Sequence, residues 1–239
     1  PISNVVDISN YVMLETGQPL HFYDADTLKD KIEVRMAKNG EKLTTLDNVQ
    51  RTLSEEDIVI SDGKKAIGLA GVMGGLDTEI TENTKNVLIE SAIFDGVKVR
   101  KTSKEILRSE ASSRFEKGLD PNRTYMAMER ACKLLAEYAK GEVVGGIAKY
   151  DNANLANREI EISFKKINDV LGMEIAKVDV LNVFRKLDFD VIIHSKKSDF
   201  SETEKDLEKV ENIIVSVPRR RGDISIQEDL IEEVGRIYG

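Results

Sequence analysis

Ile67-Gly-Leu-Ala-Gly-Val-Met-Gly-Gly75 is the stretch whose reading decides the fold, because four glycines in so short an apolar run bring bare backbone close to something. Glycine reaches positive φ freely and carries no Cβ, so Gly68, Gly71, Gly74 and Gly75 can turn several N–H groups toward one ligand. The same pattern serves a crowded strand crossing in which no side chain fits. Neither reading excludes the other. Two familiar motifs are excluded: the dinucleotide fingerprint spaces its glycines G-x-G-x-x-G and the phosphate loop ends in G-K-[ST], whereas here the spacing differs and Leu76-Asp77 follows.

Outward from that run, a chain of 239 residues has room for one large or two modest domains, each able to bury a core without staples, and two suits the pattern below. Cys132 is the single cysteine, so no disulfide or thiolate metal site forms within the chain, and a reducing, cytoplasmic setting fits. No apolar run approaches the ~20 residues of a membrane helix, and no basic segment precedes an apolar one in the manner of a signal peptide. A chain that starts at Pro1 reads as a fragment cut from a longer one. A net charge of −8 speaks against a free-standing DNA or RNA binder, although a local basic face or a basic partner can still supply phosphate contacts.

Asn4 to Glu15 has apolar residues at helical spacing, stopped by Gly17 and Pro19, which places Asn10 mid-helix. The next segment, Gln18 to Asp24, carries His21. Short strands follow at Ile32–Ala37, Lys42–Leu46 and Ile58–Ser61, punctuated by Asn39-Gly40 and Asp62-Gly63. Asn86 to Phe94 reads as a buried strand with Glu90 inside it. An ionised group there has to be paired, hydrogen-bonded or functional. Asp95 caps a short helix, Arg108 to Arg114 is a polar turn, and Asp120-Pro121 starts a helix that runs to about Lys140. A strand from Glu142 to Tyr150 then closes the first domain, followed by a polar linker. The second domain reads as strand, helix, helix, strand, a charged mobile tip at Ser195–Glu211, a return strand at Asn212–Val217 and a last helix. That order suits a winged helix-turn-helix, a shape that by itself does not specify function.

Asn10, His21, Glu90 and Ser109 are polar residues near apolar or glycine-rich segments and can converge on the glycine run. His21 and Ser109 are the only conceivable Ser-His pair, and nothing in the sequence says that they meet. A carboxylate at a strand centre beside glycine amides suits recognition of a hydroxyl. In the last helix Asp229, Glu232 and Glu233 share one face with Asp223 just ahead, an all-oxygen set that suits Mg²⁺ and equally suits a solvated helix face. Arg219-Arg-Arg221 is either their ion-pair partner or a phosphate contact.

Val5 to Met13, Gly17-Gln-Pro-Leu-His21, Leu69 to Gly75, Asn86-Val-Leu-Ile-Glu90, Arg108 to Glu116 and Asp223 to Tyr238 together resemble the beta-subunit family of bacterial phenylalanyl-tRNA synthetases, in family order along almost the whole chain. The resemblance implies an α+β fold: a mixed α/β tRNA-editing domain at 1–150, a linker at 151–158 and a small winged-helix-like domain at 159–239. It implies hydrolysis of the ester of mischarged Tyr-tRNA(Phe), within a cytoplasmic enzyme that uses ATP to attach phenylalanine to tRNA(Phe). A pocket made for phenylalanine rejects tyrosine poorly, which is the motive for a second, hydrolytic site. Under the resemblance the Gly71 N–H and the Glu90 carboxylate bind the tyrosine hydroxyl, with Gly74 beside them. Asn10 and His21 line the pocket near the ester, His21 positioning water, and Ser109 and Ala111 lie near the substrate end and the pocket wall. Oriented backbone donors and the tRNA's own hydroxyl can suffice, so no side-chain general base is assigned. Asp223, Asp229, Glu232 and Glu233 correspond to a Mg²⁺ site shared with the alpha subunit, the partner in an alpha2–beta2 heterotetramer that binds tRNA(Phe); no DNA and no membrane partner is implied. The alternatives are a non-enzymatic tRNA-docking scaffold with a degenerate editing site and, further off, a sugar- or phosphate-binding enzyme using the glycine cradle.

Overall fold

The structure, a computed structural model, describes residues 1–29 and 31–239 and divides into two compact units, Pro1–Asn152 and Ala153–Gly239. The first opens with α1 (Asn4–Thr16), capped by Ser3 Oγ on the Val6 N–H at 3.2 Å and stopped at Gly17, whose φ of 79° turns its N–H onto Met13 O. A left-handed residue is the usual helix stop, and glycine reaches that conformation at least cost. Then come β1 (Leu20–Asp24), β2 (Glu33–Met36), β3 (Lys42–Thr44), β4 (Gln50–Thr52), β5 (Ile58–Ser61), β6 (Ala66–Leu69), β7 (Met73–Gly74) and β8 (Val87–Ser91), followed by α2 (Gly96–Glu105), α3 (Glu110–Phe115) and α4 (Arg123–Tyr138).

The strands form an antiparallel sheet in the order β2-β5-β6-β7, a β3–β4 hairpin and a β1–β8 ribbon. Side chains alternate across a strand, so the ribbon has two working faces. Leu20, Phe22, Val87 and Ile89 pack with Ile8 and Val12 of α1 and with Ala127, Ala131 and Leu134 of α4. On the opposite face Tyr23 packs with Ile60, Ile67 and Ala70 of the four-stranded sheet and its turn. The two helices are tied at both ends: Arg123 donates to Thr16 O at 2.8 Å and Asn4 Nδ2 to Tyr138 O at 3.0 Å.

Several sequence expectations are corrected here. Residues 108–114 are not a turn but lead into α3, held by a reciprocal cap in which Ser109 Oγ accepts the Ser112 N–H and Ser112 Oγ accepts the Ser109 N–H. Regular helix begins at Arg123 rather than Pro121, because Asp120 Oδ1 takes the Asn122 N–H at 3.0 Å and closes a turn first. The strand expected at Glu142–Tyr150 is absent: Val143, Val144, Ile147 and Tyr150 are exposed, and strand-forming side chains without a partner strand or a covering layer have nothing to stabilise that conformation. β8 is not buried throughout, since Leu88 is exposed.

The second unit contains β9 (Arg158–Ser163), α5 (Phe164–Leu171), α6 (Lys177–Lys186), β10 (Asp190–Ile193), β11 (Lys196–Lys197), α7 (Glu204–Leu207), β12 (Asn212–Val217) and α8 (Gln227–Tyr238). Its antiparallel sheet runs β11-β10-β12-β9, and one core, including Phe164, Ile167, Phe184, Phe189, Val215, Leu230 and Ile231, joins it to the helices. Residues 195–211 are not a free tip. Leu207 and Val210 are buried, and Lys177 Nζ donates to the carbonyls of both at 2.8 Å. The architecture is α+β throughout, and among the described residues no helix is long and apolar enough to cross a membrane.

Phe184 is fully enclosed in the second core. Replacing it by alanine should lower the unfolding free energy by about 3–5 kcal/mol, read from urea denaturation, through lost transfer energy and the cavity left behind.

Candidate functional site

The glycine run is the β6–β7 hairpin, with Gly68 opposite Gly74 and Leu69 opposite Met73. Its turn needs Gly71, whose φ is 70°, and closes with the Val72 N–H on Leu69 O at 3.0 Å. Two further positions leave no room for a side chain. A Cβ on Gly75 would lie 2.4 Å from Ile67 O, and one on Gly74 would lie 2.2 Å from Cε1 of His21. The run is therefore a close crossing, with the Ala70, Val72 and Gly75 amides spent on the chain's own carbonyls. The Gly71 amide has no backbone acceptor among the described residues.

Over this crossing lies the inner face of the ribbon. The β1–β8 register sets His21 directly opposite Glu90, and Tyr23, two residues along, falls on the same face. Tyr23 Oη donates to Glu90 Oε2. The His21 ring meets Tyr23 edge-on, with centroids 4.4 Å apart and planes at 83°. Among the described residues Glu90 Oε1 has no hydrogen-bond partner, and His21 Nε2 is buried without one. Burial pushes the Glu90 carboxyl up to about 7 against the opposing pull of the Tyr23 hydroxyl, and burial pushes His21 down to about 4. The Tyr23 phenol is raised by burial and then by the facing carboxylate. Near neutral pH this cluster holds a neutral imidazole, a neutral phenol and a carboxyl poised between its two states. It suits recognition of a neutral hydroxyl better than capture of a strongly charged group.

The other expected site residues are placed as follows. Ser109 Oγ caps α3 and also donates to Val72 O at 2.8 Å, which ties α3 to the glycine turn but commits its hydroxyl. Ala111 packs on the cluster of Val72, Val99 and Phe115, against which Gly71 also sits. Asn10 is exposed, on a helix whose buried side is Ile8, Val12 and Met13. The structure thus joins His21, Glu90 and Gly74 in one cluster, and Ser109, Ala111 and Gly71 around the turn; Asn10 is in neither. Sequence reading missed Tyr23. The signal was available, since a hydroxyl two positions after His21 in a strand must share its face.

The four acidic residues of the second unit do not form a cation cage. Arg221 Nη2 lies 2.6 Å from Asp223 Oδ2 and 2.9 Å from Glu233 Oε1, and Arg236 also donates to Glu233. Asp229 accepts the Ser225 and Ile226 N–H groups at 2.7 and 3.0 Å, and Glu232 is exposed. Arg221 holds the Asp223 and Glu233 carboxyls below the usual carboxylate range by donating to them. Among the described residues no three His, Cys, Asp or Glu side chains are grouped to hold a metal, and Asp223, Asp229 and Glu233 are engaged by donors of this chain. Arg219 and Arg220 bond to the Ala156 and Leu187 carbonyls and to Asp188, which answers for the basic triplet as internal pairing.

The B3/4 domain family matches residues 1–140 and the tRNA synthetase B5 domain family matches residues 160–239. The phenylalanine–tRNA ligase beta subunit of Bacillus cereus (strain ZK / E33L) is 49% identical over 241 aligned residues, covering 100% of this chain. The chain belongs to the phenylalanyl-tRNA synthetase beta-subunit family. The corresponding proteins of Staphylococcus saprophyticus and Bacillus subtilis (strain 168) are 49% and 46% identical over the whole chain. The chain spans 28% of the length of these beta subunits. A solved N-terminal fragment of the phenylalanyl-tRNA synthetase beta subunit from Pyrococcus horikoshii is similar at 16% identity with a TM-score of 0.44, over 98% of this chain and 65% of that one.

His21 titrates near 4 in the folded chain against an ordinary 6.5, so on acidification through that window the unfolded chain binds the proton first and stability falls. Glu90 titrates near 7 against an ordinary 4.5, so between those values the folded chain holds the extra proton and acidification stabilises it. The terms oppose each other. Glu90→Gln removes the second, and its stability should fall on acidification from pH 7 to 4.5 more steeply than the parent's, by up to about 3 kcal/mol in urea titrations. In the second unit, Arg221→Met should cost about 2 kcal/mol, below the full penalty of a bared buried charge because Arg236 remains on Glu233. Excess Mg²⁺ should leave the parent's thermal midpoint unchanged.

Proposed function

We propose that the first unit is a hydrolytic editing site that removes tyrosine from mischarged tRNA(Phe), serving a ligase that attaches phenylalanine to tRNA(Phe) with ATP. The single observation that carries this reading is at Glu90: one carboxylate oxygen already accepts from a phenol, that of Tyr23, and the other has no partner among the described residues. A tyrosyl group presents a second phenol of the same chemistry, and a phenylalanyl group does not. A site built to bond a hydroxyl discriminates strongly against the ligand that lacks it, because its polar group is then left unpaired.

In the reaction, the oxygen of a water attacks the ester carbonyl carbon, the bond from that carbon to the ribose oxygen breaks, and a proton passes to the ribose oxygen, releasing tyrosine and intact tRNA. Glu90 reads the side chain at one end of the substrate. His21, neutral at physiological pH and with an unpartnered Nε2, is the side chain suited to orienting water, as donor or acceptor. The Gly71 amide is a backbone donor suited to the oxygen of the substrate hydroxyl, whose proton Glu90 accepts. Ser109 and Ala111 support the turn that presents Gly71, and Asn10 would contribute only through contacts made with bound tRNA. An alpha-subunit partner in an alpha2–beta2 assembly, tRNA(Phe) binding and a cytoplasmic setting belong to the same proposal.

Deacylation of Tyr-tRNA(Phe) and Phe-tRNA(Phe) by the assembled enzyme tests it. The parent should clear the tyrosyl ester selectively, and Glu90→Ala should reduce that selectivity by about ten- to a hundredfold, the size of a lost hydrogen bond to a charged acceptor. Equal clearance of both esters by parent and variant would contradict the reading and leave a tRNA-docking scaffold.

A further inference from the structure

We propose that Tyr23 is a specificity-determining positioning residue: its hydroxyl engages Glu90 Oε2, and so presents Oε1 as the single acceptor for a substrate phenol. The inference rests on the editing reading of Glu90 and adds a residue to it. Tyr23 is almost completely buried, with its ring set among Ile60, Ile67 and Ala70. That packing gives its hydroxyl little choice of partner. A Cβ on Gly68 would come within ordinary contact of Tyr23 Oη, at 3.8 Å, so the glycine hairpin backs the phenol from the other side. The carboxylate is thus held through a fixed donor rather than through solvent.

Such a clamp has two consequences. First, it orients the carboxylate. A free carboxylate on a strand can turn either oxygen, or the bisector, toward a ligand; one tied at Oε2 presents Oε1 in one geometry, which is what distinguishes a phenol from water. Second, it favours the ionised form. Burial raises the Glu90 carboxyl, and the Tyr23 hydroxyl pulls it back. The groups facing Glu90 are His21 and Tyr23 from β1, while the β6–β7 hairpin opposite contributes glycine backbone and no titratable side chain. His21 stays neutral above about 4, so across the neutral range Tyr23 is the side chain that opposes the effect of burial on Glu90.

The test separates this role from bulk structure and from the editing reading itself. In the 239-residue chain, carbon-13 NMR of the glutamate carboxyls follows the Glu90 titration in the parent and in Tyr23→Phe, with Glu90→Gln assigning the resonance. The Phe variant keeps the ring and removes only the hydroxyl. Its Glu90 midpoint should lie about one to two pH units higher, the size of one hydrogen bond to a charged acceptor. In the assembled ligase, the selectivity for Tyr-tRNA(Phe) over Phe-tRNA(Phe) should drop about tenfold at pH 7 in Tyr23→Phe and recover in part as the pH is raised past the new midpoint. In Glu90→Gln it should be low and independent of pH. An unchanged Glu90 midpoint in Tyr23→Phe overturns the clamp whether or not the enzyme edits. A shifted midpoint with no selective deacylation by the parent upholds the clamp and removes the editing reading.

Discussion

The antiparallel register of β1 and β8 is the constraint on which the first unit depends. Because side chains alternate along a strand, a slip of one residue would carry every inner side chain to the outer face. The register is held from both sides. Phe22 and Ile89 are committed to the core under α1 and α4, and Tyr23 to the core over the four-stranded sheet, so no shifted pairing keeps both. With the apolar residues placed, His21 and Glu90 have no alternative but to face each other. Two polar groups that composition alone would put at the surface are thereby held against glycine backbone, and the cost of that burial appears as their displaced titrations.

The glycine hairpin is the other half of the same arrangement. Gly74 lies under the imidazole and Gly75 against Ile67 O, so the ribbon can approach the sheet only where no Cβ intervenes. The cradle and the crossing, both open from the sequence, turn out to be largely the crossing, with the Gly71 amide left over. In the second unit the equivalent organising element is Arg221, which lies over the Phe189 ring at 5.7 Å and between Asp223 and Glu233. An internal cation there balances the acidic face of α8 from within the chain. This is why carboxylates with suitable spacing for a metal do not gather into a cage.

What was legible in the sequence follows the range of the interactions that decide it. Local signals were sound: the Phe164–Leu171 helix ended by Gly172, the Gly17 stop and the Asp95 cap all depend on neighbours within a few residues. Elements that need a distant partner were not. The apolar run after Gly141 has strand composition but no strand to join, and residues 195–211 look mobile until Lys177 reaches across to the carbonyls of Leu207 and Val210. The candidate site divides in the same way. Glu90 announced itself as a carboxylate in an apolar strand, while Tyr23 on Glu90 required the pairing of strands more than 60 positions apart. Asn10 was placed mid-helix by periodicity and assigned to the pocket by resemblance, and its exposed side chain shows how little either says about direction.

The most direct measurement is binding of a non-hydrolysable tyrosyl ester mimic, an aminoacyl-adenosine with an amide in place of the ester, compared with its phenylalanyl counterpart by calorimetry on this chain near pH 7.5. The account predicts at least tenfold tighter binding of the tyrosyl compound, a difference of about 1.4 kcal/mol for one hydroxyl reaching Glu90. Equal affinity for the two compounds would contradict it.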